Sequence, residues 1–186
     1  MLDFFGISLG TEPWHAERIF FLKDPQAVNA VAFSCLPGMS HGIAGVNAIV
    51  RHTGADLRFV PIDFNPLYVA HTPRSQLRCD GMLHSQSRET VVFVEMKNRS
   101  LVPRNVSRWT TKGVSQLVAV VKQFKQCNPG EDSLVNGEHA AYVCNQQSPY
   151  VVEYASTNDK MSFLMDPDTW GFQLYIKKLI VIENAK

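Results

Sequence analysis

One seven-residue stretch constrains the fold of this chain more than any other. Val91-Val92-Phe93-Val94 is a β-branched and aromatic run, and Glu95-Met96-Lys97 continues it. This composition predicts a buried β-strand. Side chains alternate between the two faces of a strand, so Glu95 and Lys97 must share one face. A carboxylate and an ammonium on so apolar a strand are costly to bury unless they have partners or a task.

A second acid, Asp80, lies upstream at the spacing of a β-hairpin. The polar stretch Ser85-Gln86-Ser87-Arg88 predicts the turn, with the hairpin midpoint between Ser87 and Arg88. Symmetric antiparallel pairing about that midpoint places Asp80 directly opposite Glu95, on the same face. Two carboxylates in this position repel each other, and a bound cation would offset the repulsion. The alternative is an ordinary hairpin whose acid and lysine form a surface ion pair.

Asp80, the triplet Glu95-Met96-Lys97 and a following helix that carries Gln116 resemble the motif of the PD-(D/E)XK nuclease superfamily. The resemblance covers the segment from Arg74 to Phe124. It implies an α/β fold with a restriction-endonuclease-like core, in which a mixed central sheet is flanked by helices. It also implies a metal-dependent nuclease, for which we expect DNA as the substrate in preference to RNA. The alternative is a non-catalytic nucleic-acid-binding or protein-interaction module that retains the fold.

The resemblance implies a role for each matching residue. Asp80, Glu95 and the backbone carbonyl of Met96 would bind Mg²⁺, for which Mn²⁺ could substitute. The side chain of Met96 would pack on the opposite face. Lys97 would orient the attacking water or stabilise the developing charge. Gln116 would approach the metal from the helix, as in some branches of the superfamily.

An acid that many members of the superfamily carry, on the helix before the first strand, is missing here. The helix predicted from Ser40 to His52 contains Asn47 but no acid. Glu12 and Glu17 lie farther upstream and would contribute only if their own helix docks at the site. The number of metals therefore stays open.

Basic residues are concentrated around the predicted site, although the formal net charge of the chain is only +1. From Arg74 to Lys125 there are 10 Lys and Arg residues and 3 Asp and Glu residues. This balance favours a polyanionic partner; the alternative is a solvated charged face. The loop from Asn98 to Ser107 is expected to be mobile and to order over the strand on binding. Four residues are predicted to contact nucleic acid: Arg99, Arg104, Arg108 and Lys112.

The length suits a single domain, 1–186, with a helical part at about 1–54 and the nuclease-like core at about 55–186. In the helical part, starts are predicted at Thr11-Glu12-Pro13, Asp24-Pro25 and Ser40, the last helix ending at Gly54. In the core, Ser107 is predicted to cap a helix from Arg108 to Gln126. Strands are predicted at 57–60, 140–144, 150–152, 172–176 and 179–182, besides the hairpin.

Two ring residues near the site have alternative roles. His84 shares a face with Asp80 and is either a substrate contact or a lone polar histidine. Trp109 either stacks on a base or serves as an anchor in the core or at the start of the helix. Four cysteines without a CxxC pair predict thiols in a reducing, cytoplasmic setting and argue against structural zinc. No apolar run is long enough to span a membrane, and no secretory signal is expected.

Overall fold

Ten strands and three α-helices lie in the part of the chain that the computed structural model describes. The described residues are 2–7, 12–25, 30, 32–37, 45–72, 76–128, 138–149 and 157–185. The strands are β1 Trp14–His15, β2 Ile19–Lys23, β3 Phe33–Cys35, β4 Ala48–Gly54, β5 Leu57–Pro61, β6 Gly81–Ser85, β7 Val91–Lys97, β8 His139–Asn145, β9 Gln173–Ile176 and β10 Leu179–Ala185. The helices are α1 Pro66–Val69, α2 Pro103–Cys127 and α3 Thr157–Met165, and a 3₁₀ turn spans Pro167–Thr169.

The central sheet has six strands in the order β1-β5-β6-β7-β8-β9. Strands β5, β6 and β7 form an antiparallel meander, and β7, β8 and β9 run parallel. The chain passes from β7 to β8 through α2, since parallel neighbours need a crossover connection. The prediction of an α/β fold with a mixed central sheet is confirmed.

The hairpin of β6 and β7 has the predicted register. Gly81 pairs with Val94 and His84 pairs with Val91. Continued by one residue, this register puts Asp80 opposite Glu95, because every pair shares the same midpoint in the turn.

The two faces of the central sheet are covered differently. Phe93, on one face of β7, packs under α2 with Leu117 and Phe124. Val94, on the other face, packs against a second sheet of four strands, in the order β10-β4-β2-β3. Within the described residues, helices therefore cover one face of the central sheet and the second sheet covers the other. The prediction of flanking helices holds for one of the two faces.

The predicted helical part at 1–54 is wrong wherever the structure describes it. The first predicted helix is replaced by β1 and β2, and the third by β4. Gly45 has a φ of +82°, which a helix does not allow. Along β4, burial alternates between Val50, Arg51 and His52, which is the period of a strand. The second predicted helix, after Asp24-Pro25, falls mainly on residues outside the described ranges.

The remaining differences concern element boundaries. Helix α2 begins at Pro103, with Val102 in the N-cap position, so Ser107 lies inside the helix and caps nothing. Proline is well tolerated in the first helical turn, where no hydrogen bond to its nitrogen is needed. Strands β9 and β10 match the last two predicted strands but belong to different sheets. The strand predicted at 150–152 lies outside the described residues.

Candidate functional site

Glu95 and Lys97 lie on the face of β7 that α2 covers. The Glu95 side chain is buried, with 1% of its surface exposed, and it forms an ion pair with Lys97 through Oε1. Gly113 of α2 passes above this pair. A Cβ atom on Gly113 would lie 2.8 Å from Cγ1 of Val143 and 3.5 Å from Cγ of Glu95. The absence of a side chain at Gly113 therefore lets the helix lie close to Val143 of β8, with Glu95 in van der Waals reach.

Gln116 holds Lys97 from the helix side. The Nζ atom of Lys97 donates a hydrogen bond to Oε1 of Gln116 at 2.9 Å. The amide nitrogen of Gln116 donates to the carbonyl oxygen of Arg78 at 2.6 Å. Both ends of the Gln116 side chain are thus engaged, and the lysine is fixed between a carboxylate and an amide.

Asp80 meets the end of β7 from the neighbouring strand. Its Oδ2 atom accepts a hydrogen bond from the backbone N–H of Met96. Burial and the adjacent charge of Glu95 raise the pKa of Asp80 well above its ordinary value. The Met96 side chain packs in the core on the other face of the sheet, as predicted. The structure therefore brings Asp80, Glu95, Lys97 and Gln116 together.

Glu95 has an oxygen that the surrounding protein leaves without a partner. Oε2 is buried and has no hydrogen bond to any described residue. Burial raises the pKa of Glu95 to about 7, although Lys97 pulls it down. Nowhere in the described ranges do three or more His, Cys, Asp or Glu side chains form a group able to hold a metal ion. A cation here would need Asp80, Glu95, a backbone carbonyl and water as ligands.

The raised pKa of Glu95 has a consequence for stability that Glu95→Gln should reveal. Between the ordinary pKa of 4.5 and about 7, the folded protein holds the Glu95 proton and the unfolded chain does not. The contribution of this group to the free energy of unfolding therefore falls as pH rises through that window, by about 1.4 kcal/mol for each step of one in pH. Urea unfolding in chelator at pH 5 and pH 8 gives the free energy of unfolding of wild type and of Glu95→Gln. From pH 5 to pH 8, the value for wild type should fall relative to the value for Glu95→Gln. The same difference in free energy of unfolding between the two proteins at both pH values would contradict the raised pKa of Glu95.

Two acids that the sequence analysis did not select also lie near the site. Asp24 follows β2, and its backbone N–H donates to Oδ1 of Asn47 at 2.9 Å. The other end of the buried Asn47 side chain donates to the carbonyl oxygen of Lys97 at 3.3 Å. The charge of Asp24 raises the pKa of both Asp80 and Glu95. Asn47 therefore ties the second sheet to the end of β7 and brings a further acid towards the site.

Asp63 is the second unselected acid, and it comes shortly after the end of β5. Its Oδ1 atom lies 4.0 Å from Nη1 of Arg78, and its charge raises the pKa of Glu95. An acid that follows a strand next to the predicted hairpin was a signal available in the sequence. Asp24 gave no such signal, because the residues before it were predicted to be helical.

A basic cleft of about 420 Å³ opens beside Lys97. Three of the four predicted nucleic-acid contacts line it, and Arg104 does not. The backbone of Arg99 is clamped by buried Asn145, which accepts from its N–H at 3.0 Å and donates to its carbonyl at 2.8 Å. The loop predicted to be mobile is therefore tied to β8 at Arg99, and its second half belongs to α2. The described lining residues are Lys97, Arg99, Ser100, Asn105, Arg108, Trp109 and Lys112.

Neither ring residue exposes much surface to a substrate, although Trp109 lines the cleft. His84 is buried at the far end of β6 from Asp80, with its ring edge-on to Phe5 and Trp14. Trp109 has 5% of its surface exposed and packs in the core under α2. The interpretation of Trp109 as a core residue is supported, whereas the helix starts earlier, at Pro103. Its ring offers little surface on which a base could stack.

In comparisons with known proteins, no family model, no curated protein and no solved structure matches the chain. All four cysteines lie in the described ranges, and none forms a disulfide. Among the helices of those ranges, none combines the length and the apolar character that a membrane crossing requires.

Proposed function

We propose that this protein is a metal-dependent nuclease that hydrolyses phosphodiester bonds, with DNA rather than RNA as its substrate. The observation that carries the proposal is the convergence of Asp80, Glu95 and Lys97 at the end of β7, next to a basic cleft. The connection of an antiparallel meander through a helix to a parallel strand is compatible with the restriction-endonuclease-like core that the sequence resembles.

The donor set fits a hard divalent cation such as Mg²⁺, or Mn²⁺ in its place. Asp80 and Glu95 offer carboxylate oxygens, and Oε2 of Glu95 is a buried acceptor that a cation would satisfy. The Met96 carbonyl is the third ligand that the resemblance implies. When bound, the cation lowers the pKa of a water molecule and polarises the phosphate.

The residues of the chain position the remaining groups. Lys97 carries a compact ammonium that donates to Glu95 and Gln116, and its third hydrogen is available for the attacking water or a phosphate oxygen. Gln116 fixes the direction of that ammonium through its bond to Arg78. Because the lysine is held before substrate arrives, little reorganisation is needed when negative charge develops on the phosphate.

One observation favours the second candidate function, a non-catalytic binding module. Within the described residues, no three His, Cys, Asp or Glu side chains form a group able to hold a metal ion. A cheap measurement separates the candidates, since a cation that binds only the folded state raises the melting temperature. A nuclease should be stabilised by Mg²⁺ or Mn²⁺, and a pure binding module should not.

The deciding experiment is incubation of the pure protein with single- and double-stranded DNA and RNA. Each substrate is tested with Mg²⁺, with Mn²⁺ and with chelator. We expect cleavage of DNA that depends on the metal and stops in chelator. Binding of nucleic acid without cleavage under every metal condition would contradict the nuclease and support the binding module.

A further inference from the structure

The cleft beside Lys97 holds more positive charge than one internal phosphodiester requires. Arg99, Arg108 and Lys112 line it, and none of the three forms an ion pair with a described residue. Lys97 differs, because its charge is offset by Glu95. No acid is present among the described lining residues. Three cations without acidic partners therefore converge on one concave surface.

The start of α2 adds to this positive field. Asn105, in the first turn of the helix, lines the cleft. That turn contains no acidic residue, and the side chain of the N-cap residue Val102 makes no capping hydrogen bond. The N-terminus of a long helix carries partial positive charge and favours anions. The cleft thus combines side-chain cations with the positive end of a helix.

The volume of the cleft suits a single anionic group. Its volume of about 420 Å³ lies in the range of small-molecule pockets, roughly 300–1,000 Å³. A terminal phosphate carries nearly two negative charges and three acceptor oxygens, whereas an internal diester carries one charge and two free oxygens. Two guanidinium groups, each able to bind two oxygens, match the terminal group better.

We propose that this cleft binds the terminal phosphate of a nucleic-acid strand, so that the enzyme acts from phosphorylated ends. The proposal rests on the proposed nuclease function and specifies its substrate. Lys97 belongs both to the cleft and to the carboxylate site, so the diester next to the bound end lies at the reacting position. There a water oxygen bonds to phosphorus, one P–O ester bond breaks, and the leaving oxygen takes up a proton. The products are a short phosphorylated fragment and a shortened strand.

The test measures binding in chelator, where no cleavage occurs. Labelled oligonucleotides of one sequence carry a 5′-phosphate, a 3′-phosphate or hydroxyls at both ends, and fluorescence anisotropy gives each affinity. We expect one of the phosphorylated ends to bind on the order of tenfold more tightly than the hydroxyl form. Arg99→Gln and Arg108→Gln should lose this preference. Lys122→Gln is the control, since Lys122 lies on the same helix, pairs with Asp168 and does not line the cleft, and it should retain the preference.

Equal affinity for phosphorylated and hydroxyl ends in the wild-type protein would overturn the proposal. Loss of the preference in Lys122→Gln to the same extent as in Arg108→Gln would also overturn it. A cleavage assay with Mg²⁺ separates this failure from failure of the nuclease function. If covalently closed circular DNA is cut as fast as linear DNA, end-directed action is refuted and the proposed nuclease function is retained. End-phosphate preference without cleavage of either form would retain the phosphate site and refute the nuclease.

Discussion

Replacing Lys97 with alanine should lower the turnover of the proposed nuclease about 10³-fold and leave most of the nucleic-acid affinity. The reason is the position of Lys97, which is fixed between Glu95 and Gln116 and lines the basic cleft. A group that stabilises charge developing in the transition state contributes to turnover and little to binding of the ground state. Single-turnover cleavage at saturating substrate, with binding measured separately in chelator, gives the two quantities.

The controls for Lys97→Ala must distinguish a role of the lysine in the reaction from the loss of one positive charge. Lys97→Arg keeps the positive charge but should also fail, because the planar guanidinium is bulkier and places its donors differently. Lys122→Ala removes a basic residue from the same helix that covers the site, where its partner is Asp168, and should cleave normally. Wild-type turnover in Lys97→Ala with metal present would exclude the lysine from the reaction.

The hairpin and its register could be predicted from the sequence because both depend on local information. The polar turn between two apolar runs fixes the midpoint, and the midpoint fixes every pair, including Asp80 with Glu95. The long helix after the hairpin was predictable for a similar reason, since its buried face repeats with the helical period. The crossover connection places the helix on β7, and the helical period sets which of its side chains face the strand. Gln116 lies beside the buried face and contacts Lys97.

The second sheet could not be predicted, because its pairs join distant segments. Strand β4 pairs with β2 on one side and with β10, from the end of the chain, on the other. Isolated from these neighbours, the apolar residues Val46, Ile49 and Val50 are spaced as on one face of a helix. Tertiary pairing decides between the two periods, and short apolar runs leave that choice ambiguous.

The same limit explains why the surroundings of the site were only partly predicted. Asp24 reaches the end of β7 through Asn47 and the second sheet, a route that no local pattern indicates. The cleft depends on the loop after β7 being tied to β8 by Asn145 and on α2 beginning at Pro103. The sequence shows that basic residues are clustered in this segment. Which of these residues line the cleft depends on where helix α2 begins.

Removing either carboxylate charge should abolish Mg²⁺ binding while the fold stays intact. Asp80→Asn and Glu95→Gln are better variants than alanine, since an amide oxygen can still accept from the Met96 N–H or from Lys97. Each replacement also removes the repulsion between two neighbouring acids, so both variants should be at least as stable as wild type in chelator at pH 8. At a Mg²⁺ concentration of about 100 times the dissociation constant, binding stabilises wild type by about 2.7 kcal/mol.

That stabilisation corresponds to a rise of roughly 5–10 °C in the melting temperature of a chain of this size. The rise should be absent in Asp80→Asn and in Glu95→Gln, and calorimetric titration should detect no binding heat in either. Lys122→Ala should show the full rise, because its ion pair with Asp168 lies outside the site. Unchanged Mg²⁺ and Mn²⁺ affinity in both carboxylate variants would refute the metal site. In the register of the hairpin, Asp80 and Glu95 are the two acids that lie opposite each other, and the proposed site depends on them.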